Sequence, residues 1–275
     1  MTQDERTGRA SRGAHAVTTD LPRWIWAPAA LGLAFILVPL AALVLRAEWG
    51  DFWPLLTSES SLDALALSLR TALVSTGICL VIGIPLATVF ARARFPGQQA
   101  LRAFVLVPLV LPPVVGGIAL LYAFGRRGLV GQALGVVGVQ IPFTEVAVVM
   151  AQTFVALPFL VMSVEGALRS AGTRYGAIAA TLGASPGRVL WRVTLPLIAP
   201  GILSGAILSF SRALGEFGAT LAFAGSLQGV TRTLPLQVYL VRESDSASAV
   251  ALSLVLIVLA VIGVVLAYRP RRVQP

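Results

Sequence analysis

Apolar residues in this chain come in long blocks broken by short polar stretches, a pattern with no two-residue alternation and therefore no strand signal. Six blocks are each long enough to cross about 30 Å of hydrocarbon as a helix. They run roughly from Trp24 to Leu45, Leu65 to Phe90, Leu101 to Phe124, Val146 to Val164, Leu195 to Phe223 and Ala247 to Tyr268. The pattern predicts an all-α integral membrane protein with about six transmembrane helices. The first block follows more than 20 polar residues and is longer than a signal-peptide core, so it reads as a retained span behind a disordered tail at residues 1–22. Residues 23–275 then form one transmembrane domain.

Two blocks are interrupted. The third carries Pro108, Pro112, Pro113, Gly116 and Gly117, and the fifth carries Pro196, Pro200, Gly201 and Gly205 in its first half. Proline removes a backbone donor that lipid cannot replace, so such helices face other helices or a wet cavity. The Pro112–Pro113 cluster is the stronger sign of a pathway lining.

Composition agrees: 57% of the 275 residues are hydrophobic and 12% charged, as a bilayer solvent demands. Charge fixes the expected orientation. All 21 basic residues are arginine, and arginine is retained on the cytoplasmic side of a span. With the N-terminus inside, fourteen arginines fall in cytoplasmic segments and five (Arg46, Arg126, Arg127, Arg232 and Arg242) on the opposite side. Both termini are thus expected in the cytoplasm. The net charge of +9 is spread between the blocks rather than gathered on one basic domain, which argues against nucleic acid.

Several chemistries are excluded by residue type. Cys79 is alone, so no intrachain disulfide forms, and the single His15 rules out a multi-histidine metal site. The absence of lysine excludes a lysine-dependent phosphate loop, so the chain does not hydrolyse ATP by that route. No nucleophile, base and orienter stand together, which removes an intramembrane hydrolase. The chain is expected to be no enzyme and to carry no cofactor or metal of its own. A secondary transporter or channel remains the rival on physical grounds, although no inverted pair of broken helices can be matched between the halves.

One polar stretch, RYGAIAATLGASPGRVLWRVTLPLIAPG from Arg174, is more structured than a loop. Tyr175, Ile178 and Leu182 fall three and four apart, giving a short amphipathic helix that Gly183 ends. Ser185 followed by Pro186 starts a second helix, with the hydroxyl expected to cap free amides. The apolar stripe needs lipid headgroups, its own bundle or a groove on a soluble partner.

The stretch resembles the cytoplasmic loop of ATP-binding-cassette importer permeases, patterned Glu-Ala-Ala, three residues, Gly, nine residues, then Ile-x-Leu-Pro. Gly183 is followed nine residues later by Val193-Thr194-Leu195-Pro196, whereas Ala177, Ile178 and Ala179 stand in the Glu-Ala-Ala positions, without the carboxylate. The resemblance implies a type I importer fold and an ATPase-coupling segment at about 169–195. Tyr175, Ala177, Ile178, Ala179, Leu182, Gly183, Ser185 and Pro186 would meet the ATPase groove. RARFPGQQALRAFVLVPLVLPPVVGGIALLYAFGRRGLVG, FSRALGEFGATLAFAG and TRTLPLQVYL resemble molybdate permeases in particular, with sulfate, thiosulfate and tungstate permeases as alternatives. That likeness implies a multi-pass protein of the cytoplasmic (inner) membrane, paired with a second copy of itself. It also implies two ATPase subunits holding ATP and magnesium, and an extracytoplasmic binding protein delivering the oxyanion.

Charges inside the blocks are the remaining candidates. Arg212 and Glu216 lie four apart on one helical face, either neutralising each other or placing Arg212 on an anion pathway. Ser209, Ser211, Thr220 and the amides near Gly215 and Gly218 would add neutral donors, with Pro112 and Pro113 nearby on the same pathway. Arg70 is expected to snorkel from the outer end of the second span, and Glu145 and Glu165 to be solvated ends of the fourth. Arg126 and Arg127 suit an anion-collecting or partner-docking mouth, and TRTLPLQ, with Arg232 and Pro235, a contact for the binding protein.

Overall fold

The structure, a computed structural model, describes residues 22–267, and every regular element among them is helical. The expected tail, apart from Pro22, lies outside the described residues, as do His15, Tyr268 and the C-terminal arginines. The chain divides after Arg46 into two compact units. In the first, a 3₁₀ turn (Arg23–Ile25) leads into α1 (Trp26–Leu45), which carries no buried residue. A helix apolar on every side belongs in hydrocarbon.

The second unit opens with a short helix α2 (Phe52–Leu56) and the long α3 (Glu59–Arg92), then α4 (Gln98–Val110), α5 (Pro113–Phe124) and α6 (Gly131–Val136). After them come α7 (Glu145–Ala171), α8 (Arg174–Thr181), α9 (Pro186–Val189) and a π-helical turn (Leu190–Thr194). The chain then runs into α10 (Leu195–Leu214), α11 (Gly218–Ala224), α12 (Leu234–Val241) and α13 (Ser246–Ala267). Across both units, five stretches are separately long and apolar enough to span a membrane, and α4 with α5 qualifies as a sixth, bent by 118°.

The core is built on small residues. Along α3 the small buried residues Ser61, Ala64, Ser68, Ala72, Ser75, Cys79, Gly83 and Ala87 recur every three or four residues, so most of the face between Leu67 and Phe90 is shallow. Where hydrocarbon gives no hydrophobic drive between helices, close backbone approach supplies the attraction instead. Ser75 Oγ donates to Val149 O and to Gln152 Oε1, both at 3.1 Å, and a Cβ at Gly83 would lie 2.8 Å from Leu160. Position on α7 therefore rises with position on α3, and the two helices run parallel.

Parallel neighbours force the intervening chain back across. Gln98 Nε2 donates to Phe90 O at the end of α3, Arg102 meets Glu165 near the end of α7, Gly116 packs on Phe154, and Leu120 joins Ala147, Val148 and Ala151. Each step along α4 and α5 is a step towards the start of α7, so the pair is one bent crossing.

The bend has a local cause. A residue before proline is pushed out of the helical region, and both Leu111 and Pro112 precede one; their ψ values are 136° and 131°. The single prolines Pro39, Pro85, Pro108, Pro158 and Pro200 lie inside unbroken helices.

The fifth crossing departs from expectation. Pro196, Pro200, Gly201 and Gly205 do not interrupt it: α10 is continuous through all four, and the break comes later, at Gly215–Phe217. The two glycines serve contact. A Cβ at Gly201 would lie 2.4 Å from Ala167 Cβ, and one at Gly205 would lie 2.9 Å from Ser163 Cβ, so α10 rests antiparallel on α7 at backbone distance.

Candidate functional site

The two breaks face each other. A Cβ built on Gly218, first residue of α11, would sit 3.0 Å from Pro113 Cβ and 3.1 Å from Val114 N. One turn further, a Cβ on Gly117 would lie 2.5 Å from Ala219 O and 2.8 Å from Ala222 Cβ. Both α5 and α11 thus begin at one depth, with their first turns in backbone contact. Pro112, Pro113 and Gly215 are exposed there.

Arg212 and Glu216 bracket the second break. Arg212 Nη2 stands 2.7 Å from Glu216 Oε2, with the arginine side chain 26% exposed and the carboxylate 1%. Glu216 Oε1 accepts the Ala219 N–H at 2.7 Å, satisfying a free donor at the start of α11. The two charges pair with each other, and Glu216 also fastens α10 to α11 across Gly215. The arginine keeps an exposed flank beside the break.

The neutral candidates separate. Ser209 is fully buried and its hydroxyl donates to Ala156 O at 3.2 Å, which places it in the α7–α10 contact. Thr220 is equally buried, and its hydroxyl has no partner.

The stretch from Arg174 folds as two short helices, α8 and α9. Gly183 takes φ +81°, with Gly183 N–H bonded to Ala180 O and Ala184 N–H to Ala179 O at 3.0 and 3.1 Å, a left-handed cap that closes α8. Ser185 precedes α9 with Pro186 in its first turn, but its hydroxyl makes no capping bond. Gly176 rests on Val189, where a Cβ would lie 3.4 Å from Cγ1, so α8 and α9 are mutually braced. Tyr175, Ile178 and Leu182 stand 58%, 49% and 83% exposed; Ala177 beside them is exposed and Ala179 half-buried. The stripe is therefore not spent on this chain's own bundle. From Val189 the chain enters the π turn, where Leu195 N–H reaches Leu190 O, and continues as α10 to the Arg212 break. Arg92, at the end of α3, donates to Thr194 Oγ1 at 3.1 Å.

One peripheral expectation is extended and one corrected. Arg70 has an exposed side chain, as snorkelling requires, and its Nη2 also lies 2.7 Å from Glu145 Oε2, tying α3 to the start of α7. Glu165 is not a solvated end: its side chain is 3% exposed and is held by Arg102 and Arg169. It shares the buried face of Val161, Val164 and Leu168, and that three-to-four spacing is the signal by which the sequence marks it. Arg126 lines a cavity of about 200 Å³ with Phe124, Gln140 and Pro142, and Arg127 next to it is exposed. Arg232 is held at 3.3 Å by Ser226. Among the described residues no cluster of metal-ligating side chains occurs.

A bent crossing, a second broken helix against it and a braced pair of short helices between the apolar spans make up a multi-span membrane protein. The chain belongs to the family of binding-protein-dependent transport system inner membrane components, which its residues 80–273 match. It is 58% identical over 246 residues to the molybdenum transport system permease protein ModB of Mycobacterium tuberculosis, covering 90% of this chain and 93% of that one. The sulfate transport system permease protein CysT of Escherichia coli is 32% identical over 226 residues, covering 81% and 82%. The fold is that of a bacterial ABC transporter solved as an importer of the acidic polysaccharide alginate, with a TM-score of 0.67 at 17% identity over 92% of this chain and 95% of that one.

Proposed function

We propose that this chain is the membrane-spanning subunit of an ATP-driven importer that carries a tetrahedral oxyanion, molybdate, inward by alternating access. The observation that carries the reading is the continuity from the exposed Tyr175–Leu182 stripe, through the π turn and α10, to the break holding Arg212. A push on the cytoplasmic helices arrives where an anion meets an arginine. The identity to molybdenum permeases supports the choice of ion. Sulfate, thiosulfate and tungstate are the chemical neighbours it must be tested against.

In this reading residues 23–275 form the permease domain, and the segment at about 169–195 docks in the groove of an ATPase subunit. Two such ATPases bind ATP and magnesium, a second copy of the chain completes the pathway, and an extracytoplasmic protein delivers the ion. Arginine distribution and the bent third crossing support both termini in the cytoplasm of a multi-pass inner-membrane protein. Pathway binding must be weak enough for release, and Glu216, by cancelling part of the Arg212 charge, keeps it so. Arg212, Gly215, Pro112 and Pro113 line the route in this account, while the buried Gly218, Thr220 and Ser209 brace the helices behind them.

The test is uptake of labelled molybdate into vesicles holding the permease, its ATPases and the binding protein. Uptake that requires ATP and outcompetes a sulfate excess is expected. Uptake without ATP, driven by an ion gradient, would refute the reading in favour of a secondary carrier.

A further inference from the structure

Glu165 differs from the other buried carboxylate, Glu216, in having partners on two separate crossings. Its Oε1 accepts from Arg169 Nε and Nη2 at 3.0 and 2.8 Å, and its Oε2 lies 3.1 Å from Arg102 Nη2. Arg169 is one turn further along α7 and moves with Glu165. Arg102 belongs to α4, the inner half of the bent crossing, which has no buried residue, starts after Gly97 at φ +82° and ends at the Leu111–Pro112 break. α4 is a short rod with a joint at each end, and Arg102 is an ionic fastening on it.

The arrangement lets that fastening open. Breaking a buried ion pair is costly because a lone charge stays behind. Here Arg169 remains on Glu165 when Arg102 leaves, and Arg102, 43% exposed already, reaches water or headgroups by extending its side chain. Its Nε is buried without a partner in the closed arrangement, so the contact is incomplete even when made. The Arg212–Glu216 pair has no such freedom, since both members and the capped Ala219 amide sit around one break. Three residues beyond Arg169 the chain turns at Gly172, φ +65°, into α8. Glu165 therefore joins the root of the cytoplasmic helix pair to the movable half of the bent crossing.

We propose that Glu165 is a positioning residue for energy coupling: its carboxylate latches α4, through Arg102, to the end of α7 that bears the ATPase-docking helices, and releases it during the cycle. This rests on the transport reading above. In the assembled complex, spin labels at Gln99→Cys and Ser170→Cys in a Cys79→Ala background report the α4–α7 distance, and vesicles report ATP hydrolysed per molybdate moved. In the unsubstituted latch the distance is expected to change on trapping with vanadate. Arg102→Gln shows the separated population without nucleotide and raises ATP used per ion by roughly fivefold or more, the lower end of allosteric coupling. Arg102→Lys restores both. A distance that stays fixed through the cycle, or an Arg102→Gln complex coupled like the parent, makes Glu165 a permanent brace and overturns the proposal. If Arg102→Gln does not assemble, the parent distance under trapping decides alone. A parent complex that moves no oxyanion removes the transport reading instead, while the distance change still reports the latch.

Discussion

Gly117→Ala is the smallest change that acts directly on the apposed breaks. The added methyl lands 2.5 Å from Ala219 O and 2.8 Å from Ala219 Cα, about 0.9 Å inside the 3.4 Å at which ordinary contact begins. Both neighbours are backbone, so no side chain can swing aside, and α5 and α11 must separate as bodies. Overpacking of this kind costs about 1–3 kcal/mol, which at 2 kcal/mol is a factor of roughly 30 in the folded ratio. A control comes from Gly77, on α3, where an added Cβ meets nothing within 4 Å; alanine there is expected to be neutral or to stabilise by about 1 kcal/mol, the helix-propensity difference. Denaturant unfolding of both variants in detergent, beside molybdate uptake in vesicles, makes the comparison. Gly117→Ala should lose stability and most uptake, and Gly77→Ala should lose neither. Equal behaviour of the two would refute the close approach of α5 and α11.

Arg212→Ala leaves the Glu216 carboxylate buried with only the Ala219 amide and should cost about 3–5 kcal/mol; Glu216→Gln keeps an oxygen for that amide and should cost less, with denaturant midpoints ranking the two. Gly183→Val forces a branched side chain into φ +81°, at about 1–2 kcal/mol. In vesicles it should lower uptake more than ATP hydrolysis; an unchanged ratio counts against the docking role. Asp245 caps α13 through Ser248 N at 3.0 Å, and the hydrogen bonds from Ser248 hold its carboxyl below the ordinary value. Asp245→Ala should cost about 1 kcal/mol near neutral pH. Because the folded value is depressed, this contribution is present above the unfolded pKa and lost as pH falls through the folded one, so the midpoints of parent and variant should converge in acid.

The crossings were legible because an apolar block of about 20 residues needs no knowledge of its neighbours to be assigned to hydrocarbon. Breaks are harder, since they depend on what the backbone does next to proline and on which glycines are taken up by packing. Pro112–Pro113 was readable because two adjacent pre-proline positions both leave the helical region. Gly201 and Gly205 looked like interruptions, yet α7 lies against them, and a glycine that permits contact is indistinguishable in a single sequence from one that ends a helix. Ser209 has the residue type of a pathway donor, and only the packing of α7 turns its hydroxyl to Ala156. Glu165 lies near the end of its apolar block, which suggests a solvated residue, while its helical face, shared with Val161, Val164 and Leu168, is buried.

The placement of rigid and jointed segments sets how motion can travel. α7 and α10 meet at Gly201 and Gly205 with only the small side chains of Ala167 and Ser163 and the tip of Leu160 between the backbones, so sliding one past the other is sterically opposed. α8 is braced on Val189, and α9 runs through the π turn into α10 without a loop. The helices α8 and α9, with α10 and the face of α7 packed on it, thus form one lever, about 30 Å long along α10. Besides the turns at Gly172 and Gly183, joints lie at Gly97, at Leu111–Pro113 and at Gly215–Phe217. A lever that tilts changes distances most at its far end, where the last two joints face each other and Arg212 stands half inside the protein. Close packing therefore lies along α7 and α10, and the backbone breaks lie together at the Arg212 end of α10.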